Sequence, residues 1–174
     1  MTEDDLYQML DERGVPYEVY HHKAIFTVAE GDAVGIPELG THTKNLFLRD
    51  DKKRNYYLVT AHEDQRVDLK ALAARIPSRR LSFASEKDLV SMLGLVAGSV
   101  TPWGVLNDEG RTVTMIYDRN LKGRRIDAHP LVNTATMFVQ MDDLVTLQRE
   151  HGTCVLFLDL GPDDAEEAGP RAGR

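Results

Sequence analysis

What most limits the folds open to this chain is the way short apolar runs alternate with capped amphipathic segments. Eight runs have the length and the aliphatic or aromatic content of β-strands: residues 17–22 (YEVYHH), the two halves of 45–61 (NLFLRDDKKRNYYLVTA), and 80–84, 112–118, 125–130, 134–141 and 153–160. The 45–61 segment reads as a hairpin, because two apolar runs flank a charged turn containing Asn55. Between these runs lie helical patterns. Residues 2–14 open on Thr2 and Asp5 in capping-box spacing, turn Leu6, Met9 and Leu10 inward and stop at Gly14. Residues 27–36, 68–76, 85–95 and 142–152 follow as further helices, the first weakened by its glycines. Hairpins and helical connections both occur, so a regular βαβ series is excluded. The expected fold class is α+β, a mixed and largely antiparallel β-sheet wrapped by helices.

A chain of 174 residues with 42% hydrophobic content can bury one core without staples, and residues 1–160 are expected to form a single domain. The segment 161–174 (GPDDAEEAGPRAGR) lacks apolar anchors and is expected to be a disordered acidic tail. The first residues are acidic and amphipathic, unlike a secretory leader, and no apolar run approaches the length that spans a bilayer, so a cytoplasmic protein with no membrane partner is expected. The single cysteine, Cys154, excludes an internal disulfide and is expected to be an inert thiol in a buried strand.

The net charge of −7 argues against a polyanionic partner until its distribution is considered. Residues 44–125 carry 16 Lys and Arg against 10 Asp and Glu, while the remainder carries 5 against 18. The positives gather at 52–55 (KKRN), 75–80 (RIPSRR) and 121–125 (LKGRR), a footprint suited to nucleic-acid phosphates, although solvated turns explain each cluster taken alone.

Familiar catalytic signatures are missing from the sequence. The six histidines do not fall in a zinc-binding spacing, and there is no phosphate-binding loop, dinucleotide fingerprint or nucleophile elbow. What stands out is residues 94–105, GLVAGSVTPWGV, an uncharged stretch with three glycines and the chain's one tryptophan. Gly98, Ser99 and Val100 follow a helix and can expose backbone N–H groups to a developing oxyanion, with Pro102 stiffening the exit, or they can be no more than a helix C-cap. Lys44 and His129 stand at element ends, where binding groups tend to sit, though either is also an ordinary surface residue.

Four segments in this order, FTVAE (26–30), TKNLFL (43–48), GLVAGSVTPWGV (94–105) and DAHPLVNTAT (127–136), resemble the freestanding prolyl-tRNA editing proteins, relatives of the YbaK-like editing domain of bacterial prolyl-tRNA synthetases. The likeness covers about residues 3–160. It implies hydrolysis, in trans, of the ester of mischarged tRNA, with alanine on tRNA(Pro) the expected substrate. The implied partners are the tRNA(Pro) acceptor end and, as a docking partner, prolyl-tRNA synthetase; no metal or cofactor is implied.

By the same resemblance Lys44 lies near the tRNA 3′ end, Gly98 and Ser99 belong to the loop holding the ester carbonyl, and Thr27 and His129 line the pocket. Asn45 follows the lysine as in the editing branch, and Val100, Thr101 and Pro102 complete the substrate loop. Lys52, Lys53, Arg79, Arg80 and Arg124 are the expected tRNA contacts. An aminoacyl ester is already activated, so positioning a water and stabilising an oxyanion suffice, and in related enzymes a ribose hydroxyl is thought to assist. A small uncharged loop suits a pocket that admits alanine and excludes proline by size. Three alternatives stay open at this level: a silent aminoacyl-tRNA-binding module, a deacylase for another small residue such as cysteine on tRNA(Pro), and a hydrolase using Ser99 or Cys154 as nucleophile with His129 as base.

Overall fold

A computed structural model describes residues 1–24 and 35–161. The helix expected at 27–36 and the tail at 162–174 lie outside the described residues. The eight strands fall where the apolar runs predict them: β1 Tyr17–His21, β2 Thr43–Asp50, β3 Tyr56–His62, β4 Leu81–Phe83, β5 Val113–Asp118, β6 Arg125–Ala128, β7 Ala135–Gln140 and β8 Val155–Leu158. Among the described residues four α-helices accompany them: α1 Glu3–Arg13, α2 Leu69–Arg75, α3 Glu86–Leu93 and α4 Met141–His151. Caps set their ends. Thr2 with Asp5, and Ser85 with Asp88, form reciprocal capping boxes at α1 and α3, satisfying N–H groups that the first helical turn leaves unpaired.

The strands build two sheets where one was expected. β1, β7 and β6 form an antiparallel three-stranded sheet, and β4-β2-β3-β5-β8 a five-stranded one. In the larger sheet β2 pairs antiparallel with β3 and β4, while β3–β5 and β5–β8 are parallel. The larger sheet is covered on both faces. Phe47, Leu58, Met115 and Tyr117 enter the main core, which also takes Met137 and Val139 from the smaller sheet, Leu6 and Leu10 from α1, and Leu89 and Leu93 from α3. Leu48, Tyr57, Val59 and Ile116 form a second core with Leu72 of α2. Coverage on both sides explains why 56–61 reads as a continuous apolar run instead of an alternating one.

Two local expectations are corrected. Cys154 is exposed; it precedes β8, an edge strand whose Val155 and Phe157 pack on the main core while Leu156 stays 36% exposed. An edge strand buries one face and leaves residues at its ends open to solvent. The second half of the uncharged stretch, expected to be loop, is a 3-10 helix, Pro102–Asn107, with Trp103 and Val105 wholly buried. Here a Cβ on Gly104 would come within 2.6 Å of Leu95 Cδ1, so the buried Leu95 side chain would have to shift to admit it.

Candidate functional site

The Gly98 loop is built as a turn. Ser99 N–H donates to Val96 O at 3.1 Å, and Gly98, third in that turn, has φ +85°, a conformation that carries little cost only for glycine. The Ser99 side chain closes the turn a second time, its hydroxyl donating to Val96 O at 2.9 Å and accepting Val96 N–H at 3.2 Å. Ser99 is 2% exposed. A hydroxyl so engaged is not poised against a base.

Beyond the turn the chain is anchored from behind. Pro102 opens the 3-10 helix, and its carbonyl accepts Gln148 Nε2 at 2.8 Å while Gln148 Oε1 accepts the Tyr117 hydroxyl at 3.0 Å. All three residues are buried, and burial pushes the Tyr117 phenol well above its ordinary value, keeping it a donor. Thr101 Oγ1 and Trp103 Nε1, on either side of Pro102, are buried without a hydrogen-bond partner among the described residues. An unpaired buried hydroxyl costs roughly 1–3 kcal/mol, so the loop carries polar capacity that its own fold does not use.

A second set of bonds joins the two sheets. His42 Nδ1 donates to Asp127 Oδ2 at 2.8 Å, and Asp127 Oδ1 accepts Thr43 N–H at 2.7 Å and Thr43 Oγ1 at 3.1 Å. The hydrogen bond to Asp127 outweighs burial and holds the His42 imidazolium up to about 9. His42 also lies edge-on to Phe138, with ring centroids 6.4 Å apart. This clamp fixes the start of β2, where Lys44 follows Thr43, to the end of β6, two residues before His129. His129 Nδ1 donates to Ala135 O at 3.0 Å; a carbonyl can only accept, so Nδ1 carries a proton and Nε2 is the ring nitrogen left for a ligand.

Strand alternation separates the neighbours Lys44 and Asn45. Asn45 falls on the side of Phe47, opposite Thr60, whose hydroxyl donates to Asn45 Oδ1 at 2.5 Å. The 3-10 helix packs across β3 and β5 on this side. Lys44 falls on the side of Leu46 and Leu48 and makes no ion pair among the described residues.

Residues 22–147 match the aminoacyl-tRNA editing domain family. The chain belongs to that family. The chain is 41% identical over 152 residues to the prolyl-tRNA editing protein ProX of Acetoanaerobium sticklandii, covering 87% of this chain and 93% of that protein. It is 33% identical over 163 residues to the prolyl-tRNA synthetase associated domain-containing protein 1 of Bos taurus, covering 89% and 93%. A solved structure described as a candidate trans-editing enzyme for prolyl-tRNA synthetase superposes with a TM-score of 0.65 over 93% of this chain and 98% of its own, and at 22% identity that likeness bears on the fold alone. Membership carries the enzyme class expected from the sequence, an aminoacyl-tRNA deacylase.

Of the residues singled out in the editing domain's sequence, Lys44, Asn45 and His129 come to the junction of β2 and β6, and Gly98, Ser99, Val100, Thr101 and Pro102 form the buttressed loop. Thr27 lies outside the described residues. The basic candidates divide. Lys52, Lys53 and Arg54 cap the β2–β3 hairpin, Arg79 is ion-paired with Asp51 at 2.5 Å beside it, and Arg124 stands at the other end of the sheet. Sequence reasoning passed over His42, Thr43 and Asp127, and Gln148 with Tyr117. Thr43 and Asp127 open two of the motifs and His42 precedes one, but none of the three was given a role; Gln148 sits in a helix whose Asp142, Thr146, Arg149 and Glu150 face water. Among the described residues no three His, Cys, Asp or Glu side chains gather as a metal site requires, and no helix is long and apolar enough to cross a membrane.

Proposed function

We propose that the protein edits mischarged tRNA(Pro) in trans, hydrolysing the ester of alanyl-tRNA(Pro) and excluding proline by size. Family membership carries this reading, together with relatives whose names refer to prolyl-tRNA editing and to prolyl-tRNA synthetase. The loop supports it in detail. Ser99 N–H is spent on Val96, but the N–H groups of Gly98 and Val100 have no partner among the described residues, and Thr101, next along the chain, has its buried hydroxyl unpaired among them. These donors stabilise the tetrahedral oxyanion, and the Pro102–Gln148–Tyr117 bonds keep them in place during the reaction.

In this scheme His129 Nε2 accepts a hydrogen bond from the aminoacyl ammonium. Lys44 holds the terminal phosphate or ribose, and Asn45, fixed by Thr60, orders the adjacent wall. Water attacks the ester carbon, the oxyanion collapses, and the tRNA 3′ oxygen leaves with a proton; a ribose hydroxyl of the terminal adenosine positions the water. No covalent enzyme intermediate forms, in keeping with the engaged Ser99 hydroxyl. Prolyl-tRNA synthetase is the proposed docking partner.

The test is ester loss from Ala-tRNA(Pro), Cys-tRNA(Pro) and Pro-tRNA(Pro) with purified protein. Alanine should be released much faster than proline. Equal rates on the two would remove size exclusion, faster loss of cysteine would reassign the substrate, and binding without ester loss would make the protein a carrier.

A further inference from the structure

The register of the large sheet sorts the basic clusters by their distance from the candidate site. Lys44 pairs with Ala61, which lies one position beyond the Thr60–Tyr117 pair, so Lys44, Ala61 and Asp118 form one row across β2, β3 and β5. Two interstrand steps place Asp118 about 10 Å from Lys44, and the turn that follows Asp118 carries Arg119, Lys122 and Arg124. The hairpin bearing Lys52 and Lys53 lies instead at the far end of β2, about 20 Å from Lys44.

This turn is a built element. The buried Asp118 accepts Asn120 N–H at 2.7 Å, Lys122 N–H donates to Arg119 O at 3.2 Å, Arg124 Nε donates to Asn120 O at 2.7 Å, and Met141 N–H closes the far side on Arg124 O at 2.9 Å. Lys122 Nζ stands 5.9 Å from the Phe157 ring centroid. Arg119, Lys122 and Arg124 are exposed, and no carboxylate pairs with any of them among the described residues. Neighbouring Arg125, by contrast, is ion-paired with Glu18 at 2.6 Å. Acidic groups stand at this end too, Glu63 and Asp64 after β3 and Asp159 after β8, with Asp64 3.9 Å from His62, but among the described residues none of them forms an ion pair with the turn.

We propose that Arg119, Lys122 and Arg124 form the phosphate-binding rail for the single-stranded 3′ end of the RNA substrate, leading its terminal phosphate or ribose to Lys44. The proposal rests on the editing reading for the identity of the RNA. It assigns the first contacts to this turn, and the hairpin and Arg79–Arg80 clusters lie too far away to share that role. Three exposed cations without carboxylate partners on a hydrogen-bonded turn bind a flexible polyanion by releasing its counterions.

The experiment titrates the protein with a short unacylated single-stranded RNA carrying a tRNA 3′ terminal sequence, across a salt series. Arg119→Gln, Lys122→Gln and Arg124→Gln together should weaken binding roughly tenfold and lower the slope of log affinity against log salt by about 2, at about 0.7 for each lost single-strand contact. Lys52→Gln, Lys53→Gln and Arg54→Gln together should leave both quantities close to wild type. Lys122→Gln alone, at an exposed position, should lower the slope by about 0.7 and serves if the triple variant misfolds. An unchanged slope in the turn variants, equal losses in both sets, or no binding by wild type each overturns the rail. Because the RNA is unacylated, binding without deacylation refutes the editing reading and spares the rail. Deacylation with an unaltered salt slope in the turn variant does the reverse.

Discussion

His42 Nδ1 donates to Asp127 Oδ2 at 2.8 Å, and this bond ties the strand that carries Lys44 to the strand that leads into His129. The two sheets also touch through a parallel bridge between Thr41 and Ile126, but the Asp127 carboxylate is what joins a charge to the junction. Because the folded-state value of His42 is raised from 6.5 to about 9, the folded state binds the extra proton. The associated stability is fully present below about pH 6.5 and disappears as pH rises through about 9. Wild type should therefore lose thermal stability between about pH 7 and 10 relative to His42→Gln, whose curve lacks this component. Parallel pH profiles of the two melting midpoints would show that the pair does not stabilise the fold.

Gln148 sets the exit of the loop. Gln148→Leu leaves the Tyr117 hydroxyl buried without its partner, at roughly 1–3 kcal/mol, and also removes the side-chain bond to the Pro102 carbonyl, which keeps only its 3-10 backbone bond. Tyr117→Phe removes one bond and strands only Gln148 Oε1, so it should cost less, about 1 kcal/mol. Urea unfolding checks the order. Gln148→Leu should also slow single-turnover deacylation more than Tyr117→Phe; equal rates would mean that the loop holds its shape without this support.

The elements were legible because their signals are local. Thr2 and Asp5, Ser85 and Asp88, and the apolar runs of β1 to β8 each act within a few residues, and the structure places caps and strands on them. The split into two sheets was not legible, because it depends on which strands pair across many intervening residues, as β1 does with β7. For the same reason His42 and Asp127 escaped notice: 85 positions separate them, and neither forms a motif alone. The glycine stretch was read for its chemistry, yet much of its composition is architectural. Gly98 completes a local turn and Gly104 lies against Leu95, and the second relation arises from tertiary packing that a single sequence does not display.

Lys44 makes no ion pair among the described residues and stands at the clamped end of β2. A flexible ammonium in that position suits a phosphate or ribose at the entrance. Lys44→Ala should nearly abolish deacylation while leaving the circular dichroism spectrum and the melting midpoint unchanged. Lys44→Arg should recover only part of the rate, since the guanidinium is larger and directs its donors differently. Full activity in Lys44→Ala would remove this residue from the site.

Gly98 and Ser99 separate an oxyanion loop from a serine nucleophile. At φ +85° an alanine strains the turn by roughly 1–2 kcal/mol, and relieving that strain tilts the Gly98 and Val100 N–H groups away from the ester oxygen. Loss of one oxyanion donor costs at least about 2.7 kcal/mol of transition-state stabilisation, on the order of a hundredfold in rate, and Gly98→Ala should reach that level. Ser99→Ala gives up the two side-chain bonds to Val96 but keeps Ser99 N–H on Val96 O, so the turn survives and the rate should fall less. A serine nucleophile demands the opposite order, with Ser99→Ala inactive and Gly98→Ala the milder change. Single-turnover rates on Ala-tRNA(Pro), at saturating enzyme and with both variants shown to be folded, decide between them. An inactive Ser99→Ala beside an active Gly98→Ala would replace the water mechanism with an acyl-enzyme.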